Sequence, residues 1–355
     1  MLYPHGGDTL SYREAYGRDP IDFSANLNPL GTPPAVQEAV RRSAALCAAY
    51  PDPFCRRLRH ALAEHEGVAE ESVLLGNGAA DLIFRLAYAL RPTRALLLAP
   101  TFSEYETALT AAGCSCSFYP LREEDGFRLT SDFLFHLADG WDLVFLCNPN
   151  NPTSSAILKD EMRALLSFCA NRDIFVMIDE TYVEFALDIS AITAVPLTQE
   201  FTNLMVLRGV SKFFAAPGMR LGYGITGNKK FLEKMREKQT PWSLNSIGAF
   251  AGEIMLQDEE YIQQTRQLIL SERDRMIDEL KGISTYKVYP AYANFILLKI
   301  LKDGLTSYDV FEACIRQGLM IRDCSSFQCL EGEFVRFCIM MPEDNSRLVN
   351  ILKSL

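Results

Sequence analysis

Residues 142–179 read DLVFLCNPNNPTSSAILKDEMRALLSFCANRDIFVMID. Two continuous apolar runs, LVFLC and IFVMI, read as strands over Asp142–Cys147 and Ile174–Asp179 and bracket a polar Asn–Pro loop and a segment, Lys159–Asn171, whose apolar residues recur at helical spacing. A strand that is apolar at every position has both faces covered, as in a parallel sheet clothed by helices. Strand, helix and strand in this order predict a right-handed crossover unit. The alternation continues outward in both directions. Ser72–Leu75, Arg94–Ala99, Asn203–Leu207 and Leu221–Thr226 read as further strands, and Ala79–Leu90 and Ser103–Ala112 as helices. The expected fold class is α/β, a mostly parallel sheet sandwiched by helices. Beyond Gly227 the texture changes. Helical periodicity runs from Lys229 to Lys281, then strand-like Tyr286–Tyr289 and Asn294–Ile300, a helix near Ser307–Gln317 and a strand at Phe334–Ile339. This predicts a smaller α+β domain.

The length of 355 residues suits one large domain and one smaller one. An apolar fraction of 48% and a charged fraction of 23% exclude disorder as the main state. Lys and Arg number 35 against 45 Asp and Glu, a net charge of −10, so no nucleic-acid partner is expected. A small anionic ligand needs only a few well-placed cations and stays open. The 10 cysteines contain no C-x-x-C pair and the 4 histidines no zinc spacing, so neither a disulfide framework nor a metal site is expected. Free thiols fit a reducing, cytoplasmic location. No apolar run reaches the ~20 residues of a membrane span, and MLYPHGG lacks the basic-then-apolar pattern of a signal peptide.

Ligands of open α/β sheets sit beyond the carboxyl ends of the strands, and five segments there carry chemistry. Gly76-Asn77-Gly78-Ala79-Ala80-Asp81 joins a strand to a helix. It is a simple turn or an anion cradle made of backbone N–H groups; it is neither a Walker loop nor G-x-G-x-x-G. Asn151 lies in the Asn–Pro loop and is either loop punctuation or an amide offered to a ligand. Asp179 ends the IFVMI run, where an acid is costly without a partner and reads as a catalytic, cofactor, metal or capping group. Ser211-Lys212 is followed eight positions on by Arg220; Lys212 is a surface lysine or, if buried among cations, a nucleophilic amine able to form a Schiff base. Arg336 alternates into the apolar strand Phe334-Val335-Arg336-Phe337 and pairs with a carboxylate of the protein or of a ligand.

In their joint order these segments resemble the aspartate-aminotransferase fold of pyridoxal 5'-phosphate (PLP) enzymes. That resemblance implies that Lys212 holds PLP and carries a proton, and that Asp179 pairs with the ring nitrogen. It implies that Asn151 and Tyr182 bond the phenolic oxygen and that Phe102 stacks on the ring, although an aromatic after a strand also reads as core. Gly78, the backbone of Ala79 and Ala80, Ser211 and Arg220 would bind the cofactor phosphate.

Within that fold the chain resembles the L-threonine-O-3-phosphate decarboxylases of cobalamin biosynthesis. The residues that carry this are His5-Gly6-Gly7, the stretch from Asp22 to Gly31 (DFSANLNPLG), Tyr50-Pro51-Asp52, Pro217-Gly218-Met219-Arg220, Pro241-Trp242-Ser243-Leu244-Asn245 and Ile321-Arg322-Asp323-Cys324. The lysine, aspartate and arginine positions are shared with histidinol-phosphate aminotransferases. The family implies a homodimer in which Tyr50 reaches the PLP phosphate of the neighbouring subunit. It implies Arg336 on the substrate carboxylate, and His5, Gly6, Asn28 and Arg322 near the substrate phosphate. The reaction implied is release of CO2 from O-phospho-L-threonine to leave (R)-1-aminopropan-2-yl phosphate. O-phospho-L-serine decarboxylation and a histidinol-phosphate-type transamination are the alternatives. Ser154 stands where glycine is usual, so a loop needing positive φ would be strained. The expected division is 46–240 as the large PLP-binding domain, with 1–45 and 241–355 forming an N-terminal arm and small domain.

Overall fold

The computed structural model describes residues 6–355. Its centre is a seven-stranded sheet in the order Val73–Asn77, Leu221–Ile225, Leu204–Gly209, Phe175–Asp179, Leu143–Cys147, Arg94–Ala99, Ser115–Pro120. All strands run parallel except Leu221–Ile225, which is antiparallel to both neighbours. Alternate residues of the central strands feed two separate apolar layers. Val144, Leu146, Val176 and Ile178 join one core; Leu143, Phe145, Met177 and Met205 join the other. Side chains of successive strand residues point to opposite faces, so the unbroken apolar runs have helices on both sides.

The edge strand Ser115–Pro120 (SCSFYP) has no counterpart among the strands expected from sequence, and its position explains why. With one neighbour and a partly exposed pattern, it needs no continuous apolar run. The helical stretch after Gly227 resolves into three helices, Lys229–Glu237, Ser246–Met255 and Glu259–Lys281. The first two are broken apart by Pro241 and by Asn245, whose side chain accepts from the Gly248 N–H and caps the second.

A four-stranded antiparallel sheet, ordered Arg322–Asp323, Phe334–Cys338, Phe295–Ile300, Tyr286–Val288, forms the second layer system. The N-terminal segment joins it: Ile21–Asp22 pairs in parallel with Leu319–Met320, and the Cys338 N–H donates to the Phe23 carbonyl. Among the described residues no helix is long and apolar enough to cross a membrane.

Two close approaches place the site. Helix Ala79–Leu90 starts directly against the antiparallel strand because Gly222 has no side chain; a Cβ there would lie 2.5 Å from the Ala79 nitrogen. Beneath the Phe175–Asp179 strand end, Arg208 is buried with Glu180, 3.0 Å away, and with Glu66 and Glu184. Asp179 and Glu180 thus point to opposite sides of the sheet end, one into a cleft and one into a structural ion cluster.

Candidate active site

A cleft of about 410 Å³ opens over the carboxyl ends of the parallel strands and is closed from the other side by the small sheet and residues 24–26. Asp179 is its buried acid. Its Oδ2 accepts from the Tyr105 hydroxyl at 2.8 Å, and its Oδ1 from the Thr181 N–H at 2.9 Å and from the Thr181 hydroxyl. Burial pushes the carboxyl above its ordinary range, opposed by those hydrogen bonds and by Lys212. A cation set against it inside the cleft would restore the ionised form.

Lys212 follows strand Leu204–Gly209 and donates from Nζ to the Ala25 carbonyl at 2.7 Å. Burial, then the nearby Arg336 guanidinium, pushes its amine down to about 8. The side chain is therefore drawn into the cleft and not left on the open surface. Arg336 is buried, 4% exposed, and donates from Nη1 to the Asn151 Oδ1 and from Nη2 to the Ser24 carbonyl at 2.6 Å. Neither partner is a carboxylate, so the guanidinium charge stays available to a ligand anion. Arg322 stands directly opposite Arg336 across the antiparallel pair. The two side chains share a face with Cβ atoms about 5 Å apart, and both line the cleft.

One end of the cleft lies at the start of helix Ala79–Leu90, whose first N–H groups have no helical partner and suit an anion. Ala79, Ala80, Ser211 and Arg220 line the cleft there. Gly78 does not line it. It takes φ +82, and a Cβ on it would lie 2.3 Å from the Arg220 guanidinium, so its function is to admit that side chain. Asp81 turns away, accepting from the Asn77 N–H at 3.1 Å and pairing with Arg85 at 2.8 Å. Phe102 lines the cleft and meets Tyr105 edge-on, with centroids 5.5 Å apart. It is half-buried, so the core reading is only partly met.

Tyr182 and Gly6 also line the cleft. His5 lies outside the described residues. Tyr50 does not reach the cleft of its own chain; it is 82% exposed and packs on Trp242 at 4.8 Å. Asn28 corrects the expectation of a phosphate ligand. It is 3% exposed, and its Nδ2, with two hydrogens to donate, lies within hydrogen-bond distance of the Phe213 carbonyl, the Tyr261 hydroxyl and Thr265 Oγ1, while Oδ1 accepts from the Leu30 N–H. With both ends of the amide engaged in the core, Asn28 anchors the arm. Ser154 adopts the expected positive φ, +58, but its hydroxyl accepts from the Ala293 N–H at 2.9 Å and its carbonyl from the Tyr292 N–H at 2.9 Å. These bonds tie the loop to the small sheet and offset a left-handed cost of about 1–2 kcal/mol.

Sequence reasoning missed Tyr105, Thr181 and the residues 24–26. Tyr105 sits one helical turn after Phe102 and Thr181 two positions after Asp179, the spacing of an Asx turn; both signals are readable. The backbone carbonyls of Ser24 and Ala25 leave no such trace.

The residues present fit PLP. A lysine whose amine is pushed down to about 8, a buried acid, an aromatic wall and a helix N-terminus beside an arginine converge on one cleft, a set that suits an aldehyde, a ring nitrogen, a flat ring and a phosphate. Residues 18–352 match the aminotransferase class I and II family. A Salmonella typhimurium threonine-phosphate decarboxylase is 34% identical over 99% of this chain and 96% of its own length. A Caldanaerobacter subterraneus protein, provisionally named a threonine-phosphate decarboxylase, is 38% identical over 99% of this chain and 94% of its own. The solved histidinol-phosphate aminotransferase of Clostridium acetobutylicum superposes with a TM-score of 0.87 at 31% identity, covering 94% of this chain and 98% of that one. The chain therefore belongs to the aminotransferase class I and II family of PLP enzymes, and within it resembles the threonine-phosphate decarboxylases.

Proposed function

We propose that this protein decarboxylates O-phospho-L-threonine to (R)-1-aminopropan-2-yl phosphate and CO2, a step of cobalamin biosynthesis. The observation that carries the reading is the pair Arg322 and Arg336, cross-strand neighbours facing one cleft. Two fixed cations suit a substrate with two anionic ends, a carboxylate and a phosphate. The full-length relatives named for this reaction support the same substrate class.

In this reading Arg336 binds the carboxylate and Arg322 the substrate phosphate, with Gly6 beside it. Asn151 orients Arg336 and, with Tyr182, bonds the cofactor's phenolic oxygen. Asp179 holds the ring nitrogen protonated, and Ala79, Ala80, Ser211 and Arg220 bind the cofactor phosphate. PLP, when bound, supplies the electron sink for the pair left when the Cα–carboxylate bond breaks. The carboxylate departs as CO2, and Lys212 Nζ delivers a proton to Cα. The proposed unit is a homodimer in which Tyr50 completes the neighbouring site; its exposure in its own chain suits that role. The proposed domains are 46–240, and 1–45 with 241–355.

The test is product analysis with O-phospho-L-threonine, O-phospho-L-serine and histidinol phosphate, each with and without labelled 2-oxoglutarate. CO2 from O-phospho-L-threonine in step with amine is expected. The serine analogue lacks one methyl and should react about 10–200-fold less efficiently. Glutamate formed without CO2 would replace this reading with an aminotransferase.

Arg336→Lys is expected to lower kcat/KM by about 10–100-fold, because a point charge replaces a fork and a charged hydrogen bond is worth about 1.5–3 kcal/mol. Steady-state kinetics on O-phospho-L-threonine checks it; unchanged kinetics would remove Arg336 from the substrate.

A further inference from the structure

Three successive residues of the N-terminal arm each hold one side chain of the proposed site. The Ser24 carbonyl accepts from Arg336, the Ala25 carbonyl accepts from Lys212, and the Asn26 amide Nδ2 donates to the Tyr182 hydroxyl at 3.3 Å. The segment is itself held. Asp22 Oδ1 accepts from the Ser24 N–H at 2.8 Å and the Ala25 N–H at 3.2 Å, and Asn294 Nδ2 donates to the Asn26 carbonyl at 3.1 Å.

We propose that Asn26 is a positioning residue for Tyr182: by donating to the phenol oxygen it leaves the single phenol hydrogen to be donated into the cleft, toward the ring oxygen of the cofactor. The inference rests on the proposed bond between Tyr182 and that ring oxygen, and deepens it.

A hydroxyl carries one hydrogen and two acceptor sites. A donor on the oxygen therefore frees the hydrogen, whereas an acceptor would capture it. Tyr182 is 6% exposed and its ring meets Phe295 edge-on at 5.0 Å, so the ring is fixed and the hydroxyl torsion is what remains to be set. Asn26 is 1% exposed and sits at φ +57. Asparagine is among the few residues with a side chain that enter this region readily. The conformation turns the amide toward Tyr182 while the next asparagine, Asn28, enters the core. The charged and titratable groups around the phenol are Arg336 from the small sheet and Asp179 and Cys147 from the large one. Burial raises the phenol to about 12, so it stays protonated and able to donate.

The experiment is a pH titration of the visible absorbance of the PLP-loaded protein. A hydroxyl donated to the ring oxygen stabilises that oxygen as an anion, so losing it makes the bound chromophore keep its proton to higher pH. Asn26→Gly removes the amide yet tolerates the positive φ. Tyr182→Phe removes the donor. Each should raise the midpoint by about one pH unit or less, and the double variant should go no further than Tyr182→Phe. Asn26→Asp, an acceptor only, should shift the midpoint the same way and serves if the glycine variant does not fold. An Asn26→Gly midpoint equal to wild type, or additive shifts in the double variant, overturns the inference while leaving the proposed reaction standing. A midpoint unmoved by Tyr182→Phe overturns instead the placement of Tyr182 on the ring oxygen.

Discussion

Replacing Lys212 by alanine is expected to cut CO2 release from O-phospho-L-threonine by more than about 10,000-fold, since one residue supplies both the nucleophile and the proton carrier. The variant should bind PLP reversibly, and borohydride reduction should leave no cofactor on the chain. In the wild type the same treatment followed by peptide mass spectrometry should find the cofactor on Lys212. A pH dependence follows from the environment of the amine. Burial and Arg336 disfavour its charged form and set its ionisation near 8. The neutral amine attacks, so capture of PLP by the cofactor-free protein should rise with pH and level off above about 8, falling tenfold for each unit below. Stopped-flow absorbance reads this directly. A midpoint near the ordinary lysine value of 10.5 would refute a buried amine flanked by the Arg336 charge.

Asp179→Asn is expected to lower turnover by about 100–10,000-fold, the range for losing a positioned group that governs a proton in the reaction. The amide keeps the volume and can still accept from Thr181, but it cannot hold a proton on the ring nitrogen. Tyr105 then loses its anionic partner. The signature separates this variant from the lysine one: cofactor stays attached to Lys212, while product formation collapses. An unfolded protein would confuse the result, so the melting temperature of the cofactor-free variant is measured alongside. Full turnover in a folded Asp179→Asn variant would remove Asp179 from the cofactor.

Much of the large sheet is legible in the amino-acid sequence. Helix Ala79–Leu90 and strand Arg94–Ala99 have the expected bounds, and Leu143–Cys147 and Phe175–Asp179 begin one residue inside them. Strands buried on both faces announce themselves through unbroken apolar runs. Ser115–Pro120 does not, since an edge strand has less to bury. Within the site, Asp179, Lys212 and Arg336 are legible as polar residues at the ends of apolar strands or within them, where an unpaired charge demands an explanation. Their assignment to PLP comes from the family resemblance. The family resemblance alone places Asn28 near the substrate phosphate; on extended backbone Asn26 and Asn28, two apart, would share a face. The left-handed turn at Asn26 breaks that alternation and sends one asparagine to the cleft and the other to the core. Backbone carbonyls have no sequence signature, so the grip of residues 24–26 on Arg336 and Lys212 is visible only in the fold.

The contact between Arg336 and the Ser24 carbonyl spans 312 positions of the chain. During synthesis the residues 24–26 leave the ribosome long before their guanidinium partner is made. The large parallel sheet can pack meanwhile, since its seven strands lie between residues 73 and 225. Loop closure over such a separation is among the slow events of folding. The Arg336 side of the cleft is therefore expected to close after the large sheet has formed. A nascent chain stalled short of the strand Phe334–Cys338 would already carry Lys212 and Asp179, yet lack the guanidinium that faces them.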